Sequence, residues 1–313
     1  MSHEIRKPLV VFIVGPTSTG KTETGIEVAL AVGGEIVSSD SMQFYRGMDV
    51  GTAKPTPEQQ AQVPHHLIDH VEPEQSYNVA HFHRDATAAI DGILRRARVP
   101  IVVGGSGLYV RALANKLDLP VAEPDDELRA QLKAFAKHSG PTALHERLSK
   151  VDPASAERIH PNDTKKLIRA IEIYERTGRP MSHVYSERPE PTDRYDCLMF
   201  GLTCDRDELY RRVEERCDRM VNAGLLKEVQ ELLARGYSPD LQAMQAIGYK
   251  EFVAFLRGEV GFPEAVETFK RNTRRYVKRQ ITWFKTDERI RWIDVPTESP
   301  SPIIVDAIRQ RGA

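Results

Sequence analysis

Cysteine is scarce in this chain, which has three cysteines among 313 residues. Cys197, Cys204 and Cys217 lack both the CxxC spacing and the matching pair of histidines of a zinc site, and isolated cysteines argue against a disulfide framework. Long apolar runs are missing as well, since the N-terminal stretch from Leu9 to Val14 is far too short for a membrane span or a signal peptide. We therefore expect free thiols and a soluble, cytoplasmic protein without a membrane partner.

An excess of either charge is also absent. The 44 basic and 45 acidic residues give a formal net charge of -1, so a nucleic-acid site would have to come from local clusters of charge. At 313 residues the chain exceeds one average domain, and a single large domain and a core with an inserted domain both fit this length.

Short apolar runs alternate with helical patterns in the first part of the chain and again near its end. The runs are Leu9 to Val14, Glu35 to Ser38, Ile101 to Val103, Cys197 to Leu202 and Ile290 to Val295. This alternation predicts an α/β fold with a parallel sheet. Residues 125–137, 141–150 and 162–177 instead read as consecutive helices without a strand. We therefore predict a helical insertion, residues 123–189, in a core of residues 1–122 and 190–313.

The segment GPTSTGKT, residues 15–22, follows the first apolar run and matches the phosphate-loop spacing GxxxxGK[ST]. Glycines permit the tight backbone, successive amides converge on anionic oxygens, and the following helix adds the positive end of its dipole. Lys21 can reach terminal phosphates and the Thr22 hydroxyl can ligate Mg²⁺. The expected polyphosphate contacts are Gly15, Pro16, Thr17, Ser18, Thr19, Gly20, Lys21 and Thr22.

Asp40 follows the second apolar run, at the strand end where an open α/β sheet delivers side chains to its ligand crevice. Its carboxylate could hold Mg²⁺ through water, act as a general base, or simply cap the next turn. The neighbouring Ser41 and Gln43 are polar groups able to read the edge of a base. Lys54, which precedes Pro55, is more ambiguous, and a plain solvated side chain is one interpretation of it.

A second glycine-rich turn, Gly104 to Gly107, follows the run at residues 101–103 and predicts the opposite wall of the same cleft. That strand does not end in the acidic residue that holds Mg²⁺ in a conventional phosphate-loop ATPase. Asp69 and Asp205 are the alternatives, and neither has a compelling context.

Basic residues form one side of a predicted helix, which we call the basic stripe. Its members are Lys270, Arg271, Arg274, Arg275, Lys278, Arg279 and Lys285, while Phe269, Tyr276, Val277, Trp283 and Phe284 share the packing side. A solvated face and an RNA phosphate contact are both open interpretations. Another helix carries Arg211, Arg212, Arg216 and Arg219, which either form surface ion pairs or include one arginine turned inward to clamp a phosphate.

Seven motifs in order resemble the tRNA dimethylallyltransferase family of the bacterial type over nearly the whole chain: GPTSTGKT, SSDSMQFYRGMDVGTAKP, HHLID, GGSGLY, RIHPNDTKKLIRAIE, QAIGYKE and KRQITWFK. The resemblance implies a phosphate-loop NTPase-like core. It also implies transfer of a dimethylallyl group from dimethylallyl pyrophosphate to the exocyclic amine of the adenine 3′ of the tRNA anticodon. The phosphate loop would then hold pyrophosphate rather than ATP.

This resemblance also implies roles for individual residues. Lys21, Thr22 with Mg²⁺ and Arg216 would stabilise the departing pyrophosphate, and Asp40 would accept the proton of the amine. The helical insertion would bind the anticodon stem-loop. The implied tRNA contacts are Asp40, Ser41, Met42, Gln43, Ser106, Arg129, Lys165, Lys166, Leu167, Ile168, Arg169, Gln245, Ala246, Ile247, Gly248, Tyr249, Lys250, Lys278 and Arg279.

The chain departs from the family pattern at a few positions. The family usually has Gln-Arg where this chain has Lys165 and Lys166, and usually Thr at the position of Ser106. Two other classes compete with this interpretation: a phosphate-loop kinase of a small metabolite, and a non-catalytic RNA-binding module. We expect the protein to act as a monomer.

Overall fold

The structure is a computed structural model that describes residues 7–114, 125–186 and 194–312. The chain divides into two compact units, one formed by Met1–Asn115 with Asp193–Ala313 and the other by Lys116–Thr192. The predicted domain boundaries, between residues 122 and 123 and between residues 189 and 190, lie outside the described residues.

A parallel sheet of six strands forms the centre of the first unit. The strands are β1 (Leu9–Val14), β2 (Gly34–Ser38), β3 (His65–His66), β4 (Val99–Gly104), β5 (Asp196–Thr203) and β6 (Arg291–Asp294). Their order in the sheet is β3-β2-β4-β1-β5-β6, and every neighbouring pair is parallel. The predicted α/β fold is confirmed. Among the strands of the described ranges, β3 alone was not predicted, because two residues are too few to show a pattern.

Helices make up most of the remaining described residues. They are α1 (Lys21–Val32), α2 (Pro57–Gln62), α3 (Val79–Arg95), α4 (Gly107–Ala114), α5 (Asp126–Ser139), α6 (Pro141–Val151), α7 (Pro153–Arg158), α8 (Thr164–Thr177), α9 (Met181–Ser186), α10 (Arg206–Asn222), α11 (Leu225–Ala234), α12 (Tyr249–Leu256), α13 (Phe262–Phe284) and α14 (Pro300–Gln310). No helix within the described ranges is both long and apolar enough to cross a membrane.

Alternate residues of β1 face opposite sides of the sheet and bury two apolar layers. Val10, Phe12 and Val14 pack in a large cluster that includes residues of α3, α4, α10 and α13. Val11 and Ile13 pack on the other side, in a cluster with residues of α1 and α14. Burial on both faces explains why β1 reads as a continuous apolar run.

The second unit is helical in its described part, from α5 to α9. Leu132, Leu144, Leu148 and Ile171 belong to its apolar core. The helix expected over residues 162–177 begins at Thr164, because the side chain of Asp163 caps it by accepting from the amide of Lys166. The short helices α7 and α9 were not predicted, since six residues give little helical periodicity.

Three loops leave the same edge of the sheet, because parallel strands end together. The phosphate loop, residues 15–22, follows β1. The segment containing Asp40 follows β2, and the turn beginning at Gly105 follows β4. Because β2, β4 and β1 are adjacent in the sheet, these loops lie side by side.

Candidate active site

A cavity of about 620 Å³ opens at this edge of the sheet. Its walls are described residues of the first unit, and they include Thr17, Ser18, Gly20, Lys21, Thr22, Asp40, Ser41, Met42, Gln43, Gly104, Gly105, Arg216, Gln245, Ala246, Ile247, Lys250, Tyr276, Arg279 and Gln280. The structure therefore brings together the phosphate loop, the Asp40 segment and the second glycine-rich turn, as we predicted from their positions after strands.

The phosphate loop has the backbone that its glycines allow. Gly15 has a φ of 134°, and a Cβ at this position would lie 2.4 Å from the carbonyl oxygen of Leu202 in β5. Gly20 has a φ of 80° and immediately precedes α1. The Thr19 hydroxyl donates to the carbonyl oxygen of Pro16 at 2.9 Å and holds the loop closed. The amino end of α1 thus faces the cavity, an arrangement suited to an anion.

Lys21 lies in the loop with its ammonium group donating to the carbonyl oxygen of Pro16 at 2.6 Å. Burial and the nearby positive charge of Arg216 lower the pKa of Lys21 to about 7, although the carboxylates of Asp40 and Glu23 act in the opposite direction. Burial also lowers the pKa of Arg216. Two cations held close together in a poorly solvated site would be relieved by a bound anion.

Arg216 is the arginine of α10 that lines this cavity. Arg211 and Arg212 instead form ion pairs with Glu208, at 2.8 and 2.6 Å. Both alternatives left open by the sequence therefore hold on one helix: two arginines pair at the surface, and Arg216 turns toward the phosphate loop.

Asp40 has a structural contact and a position in the cavity. Its Oδ1 atom accepts the N–H of Met42 at 2.8 Å, so the turn-capping interpretation is correct. Its negative charge opposes the lowering of the pKa values of Lys21 and Arg216 by burial, and all three residues line the same cavity. The amide of Gln43 is engaged within the same loop, accepting from Ser38 and donating to the carbonyl oxygens of Thr52 and Ala53.

Lys54 is not solvated, and our prediction for it was wrong. Its side chain is only 4% exposed and forms ion pairs with Asp49 at 2.7 Å and Asp69 at 2.5 Å. Its ammonium also donates to the carbonyl oxygen of Tyr45. The two neighbouring carboxylates offset the cost of burying the charge. Asp69, one of the two alternative metal-binding residues, is therefore engaged in an ion pair.

Glu228 fastens another wall of the cavity, and no sequence motif indicates this role. Its carboxylate accepts the backbone N–H groups of Asp49, Val50 and Gly51. The hydroxyl of Tyr249 donates to the same carboxylate at 2.5 Å. This carboxylate joins the loop after β2 to the start of α12, and residues of both segments line the cavity.

The segment 245–250 contributes to the cavity unevenly. Gln245, Ala246, Ile247 and Lys250 line it, whereas Gly248 and Tyr249 are buried. The side chain of Tyr249 packs against Gly51, where a Cβ would lie 2.5 Å from its ring. The family resemblance implies tRNA contacts for all six residues of this segment. Gly248 and Tyr249, however, are buried and support the wall of the cavity instead of lining it.

The basic stripe lies on α13, and some of its cations have intramolecular partners. Lys270 pairs with Asp218 at 2.7 Å, and Arg274 pairs with Glu214. Arg275, Lys278 and Arg279 are exposed, and with Arg111 they line a second cavity of about 640 Å³. A cluster of cations at one surface is suited to a phosphate backbone.

Trp283 also lines this second cavity and is 41% exposed, so its assignment to the packing side of the helix was wrong. A Cβ on Gly107 would lie 2.0 Å from the Trp283 ring. The indole therefore lies over the backbone of Gly107 at the start of α4 instead of entering the core.

The predicted RNA contacts of the helical unit also differ in exposure. Lys165 and Lys166 are exposed, but Leu167 and Ile168 are buried in the core of this unit. Arg129 and Arg169 form ion pairs with the fully buried Glu172. The two arginines therefore have a buried structural partner. Lys165 and Lys166 are exposed, and Lys166 forms an ion pair with Asp163 at 2.8 Å.

Hard oxygen donors lie at the phosphate-loop end of the cavity. Within the described ranges, no group of three or more His, Cys, Asp or Glu side chains could hold a metal ion. Thr22 nevertheless lines the cavity at the start of α1, with Glu23 and Asp40 on the same walls. One hydroxyl with substrate phosphate oxygens and waters fits Mg²⁺, which usually keeps several waters.

Gln280 was missed by sequence analysis. It lies on α13, is 5% exposed and lines the cavity beside Tyr276. The available signal was a polar residue on the side of α13 opposite the exposed Lys278. Burial and the charge of Asp40 raise the pKa of Tyr276 to about 12.

The fold and the cavity define a phosphate-loop NTPase-like α/β protein with a carboxylate beside its anion site. Models of two families match the chain: IPP transferase over residues 43–287 and isopentenyl transferase over residues 8–71. The tRNA dimethylallyltransferase of Desulforudis audaxviator is 53% identical, with 92% of each chain covered. That of Carboxydothermus hydrogenoformans is 46% identical, with 97% of each chain covered.

Two solved structures are also similar. The full-length tRNA isopentenylpyrophosphate transferase of Bacillus halodurans has a TM-score of 0.72 and 44% identity, with 98% of this chain and 96% of that chain covered. A eukaryotic dimethylallyltransferase acting on tRNA has a TM-score of 0.79 and 30% identity, with 92% and 74% covered. The chain belongs to the tRNA dimethylallyltransferase family and is a prenyltransferase.

Proposed function

We propose that the protein transfers a dimethylallyl group from dimethylallyl pyrophosphate to the exocyclic amine of the adenine 3′ of the anticodon in tRNA, releasing pyrophosphate. The observation that carries this proposal is the convergence of a phosphate loop, two cations and a carboxylate in one cavity of a family member. A phosphate loop alone would fit many reactions, but the carboxylate gives the cavity a group for the acceptor amine.

Departure of pyrophosphate is the electrostatically demanding step. Breaking the carbon–oxygen bond leaves negative charge on the leaving group and positive charge on the allylic carbon. Lys21, Arg216 and the amides of the phosphate loop hold that growing negative charge. The lowered pKa of Lys21 fits this role, because the free site contains two poorly compensated cations that a pyrophosphate group would neutralise.

Asp40 orients and deprotonates the acceptor amine. The lone pair of an adenine amine is delocalised into the ring, so a hydrogen bond to a fixed carboxylate aligns it for attack on the allylic carbon. The new carbon–nitrogen bond forms as the carbon–oxygen bond breaks, and the amine then gives a proton to Asp40. The Met42 N–H holds one carboxylate oxygen in place throughout.

Thr22 would hold Mg²⁺ together with oxygens of the substrate. The ion, when bound, supplies positive charge that stabilises the pyrophosphate. The residues present fit this ion, because Thr22, which carries a hydroxyl, lines the same cavity as the phosphate-binding groups.

RNA binding is assigned to the exposed cations of each unit. In the first unit these are Arg275, Lys278 and Arg279, beside the exposed ring of Trp283. In the helical unit, which we predict to span residues 123–189, the exposed Lys165 and Lys166 would bind the anticodon stem-loop. A base in a loop can be turned out of its stack into a cleft, as single-stranded recognition requires. A monomer suffices, since one chain supplies all these groups.

The test uses the purified protein with Mg²⁺, dimethylallyl pyrophosphate and an unmodified tRNA that has adenine 3′ of the anticodon. We expect prenylated adenosine in the digested tRNA and one pyrophosphate for each prenyl group. A tRNA with guanine at that position is the matched control and should remain unmodified. Absence of prenylated adenosine, combined with ATP-dependent phosphorylation of a small metabolite, would favour the kinase alternative.

A further inference from the structure

Gln280 is a buried amide on a helix whose opposite side carries exposed cations. It is 5% exposed, whereas Lys278 and Arg279, which precede it, are exposed. A buried amide needs partners for both its oxygen and its nitrogen. Those partners come from two loops of the cavity.

The amide of Gln280 joins the phosphate loop to the second glycine-rich turn. Its Oε1 atom accepts the N–H of Thr17 at 3.0 Å, and its Nε2 atom donates to the carbonyl oxygen of Gly105 at 3.0 Å. A Cβ on Gly105 would lie 2.2 Å from Nε2, so the absence of a side chain there admits the amide. The side chain of Gln280 therefore fixes the distance between the two loops.

The glycine-rich turn is in turn fastened to the segment that carries Asp40. The Ser106 hydroxyl oxygen accepts the N–H of Ser41 at 3.0 Å. The N–H of Ser106 donates to the carbonyl oxygen of Ser39 at 3.3 Å. Asp40 is flanked by both partners. A continuous set of hydrogen bonds therefore runs from the phosphate loop through Gln280 and Ser106 to the residues on either side of the carboxylate.

We propose that Gln280 is a positioning residue that sets the distance between the bound pyrophosphate group and the acceptor amine. The inference rests on the proposed function, in which the phosphate loop holds one reactant and Asp40 holds the other. Reacting atoms must approach to about 3 to 3.5 Å, and a misplacement of about 1 Å costs about 10²-fold in rate. Without the two Gln280 hydrogen bonds each loop would still bind its own reactant. We therefore expect their loss to lower kcat and to leave the affinities for both reactants nearly unchanged.

Gln280→Met and Gln280→Glu separate this role from simple filling of space. Methionine has a similar length but makes neither hydrogen bond. We expect Gln280→Met to lower kcat by about 10²-fold, while the KM for dimethylallyl pyrophosphate and the Kd for tRNA change by less than about threefold. Glutamate can imitate the amide only when protonated, because one oxygen then accepts from Thr17 and the other donates to Gly105.

The pH profile is the second measurement. We expect the ratio of the Gln280→Glu kcat to the wild-type kcat to rise as the pH falls from about 8 to about 6, because burial favours the neutral acid. Gln230→Glu, on the exposed side of α11, is the matched control, and its ratio should be flat. Taking ratios removes the pH effects that the variants share with the wild type.

Three outcomes decide the inference. A folded Gln280→Met enzyme with wild-type kcat would overturn it. A Gln280→Glu to wild-type kcat ratio that is equally low at every pH would also overturn the inference and leave Gln280 with only a structural role. This second measurement still tests the inference if the Gln280→Met variant fails to fold. A wild-type protein that transfers no prenyl group would refute the proposed function and the inference together, whereas either of the first two outcomes with an active wild type refutes the inference alone.

Discussion

Asp40→Asn separates the two roles of Asp40 that the structure shows side by side. Asparagine keeps an Oδ1 atom that accepts the N–H of Met42, the 2.8 Å contact that holds the turn. It cannot accept a proton from the amine, and it removes the negative charge beside Lys21 and Arg216. Asp40→Ala removes the turn contact as well and is the comparison variant.

The expected loss follows from the chemistry of a general base. Such a group contributes about 10² to 10⁴-fold in rate, which corresponds to about 2.7 to 5.4 kcal/mol at about 1.36 kcal/mol for each tenfold change. The hydrogen bond to Met42 is worth about 0.5 to 1.5 kcal/mol of stability. Asp40→Asn should therefore lose turnover and keep its stability, and Asp40→Ala should lose both.

Single-turnover prenyl transfer at saturating tRNA measures the chemical step, and urea unfolding measures stability. We expect the Kd for tRNA to stay within about threefold of wild type in both variants. If Asp40→Asn turned over like wild type while Asp40→Ala did not, the carboxylate would only cap the turn, and its assignment as a base would be refuted.

Three further predictions concern RNA binding and stability. Changing Arg275 and Lys278 to glutamine should reduce the slope of log Kd for tRNA against log salt by about 0.7 for each single-strand phosphate that the variant no longer neutralises. Glu172→Gln should lower the free energy of unfolding of the helical unit, measured in urea, by about 1.5 to 3 kcal/mol at neutral pH, because Arg129 and Arg169, which are partly screened by water, lose the buried carboxylate that pairs with them. Gly15→Ala should lower the free energy of unfolding of the first unit by about 2 to 6 kcal/mol, through its positive φ and the clash with β5.

The first and the last of these predictions have a matched control. Lys270→Gln removes a cation that is paired with Asp218, and an equal change in salt slope would remove the distinction between paired and exposed cations. Gly236→Ala has a φ of 91° but open space around it, so it should cost only about 1 to 3 kcal/mol. Equal losses for both glycine variants would contradict the proposed clash.

The stability provided by Glu172 should also depend on pH in a definite direction. Burial alone would raise the pKa of this carboxyl, but hydrogen bonds from Arg129, the N–H of Asp125 and Arg169 outweigh it, so the pKa lies below its ordinary value of 4.5. The contribution of Glu172 to the free energy of unfolding is therefore complete above pH 4.5, and it is lost as the pH falls through the lowered pKa. In the Glu172→Gln variant, the free energy of unfolding measured in urea should therefore fall less steeply as the pH is lowered than it does in the wild type.

Features encoded by short stretches of sequence were predictable. The phosphate loop depends on eight consecutive residues and the strand before them, and Asp40 follows from the rule that parallel strands end at one edge. The strands at residues 9–14 and 101–103 were evident because burial on both faces makes them apolar throughout.

Features that depend on distant partners were not predictable. Gln280 and Glu228 acquire their roles from backbone groups 175 to 263 and 177 to 179 residues away along the chain. We interpreted Lys54 as solvated because no sequence pattern indicates that Asp49 and Asp69 form ion pairs with it. The misplacement of Trp283 has a similar cause, since nothing near it shows that Gly107 supplies a flat backbone surface.

The placement of the helical unit between β4 and β5 has a consequence for the order of events during synthesis. β1 pairs with both of these strands, and its partner β4 ends at Gly104, while β5 is complete only at Thr203. At about 5 to 20 residues per second, roughly 5 to 20 s pass between the two. During that interval the nascent chain can assemble β3, β2, β4 and β1 with one unpaired edge on its most apolar strand. Such an edge invites pairing with another chain, so the ribosome-bound intermediate is the stage at which we expect this protein to depend most on chaperones.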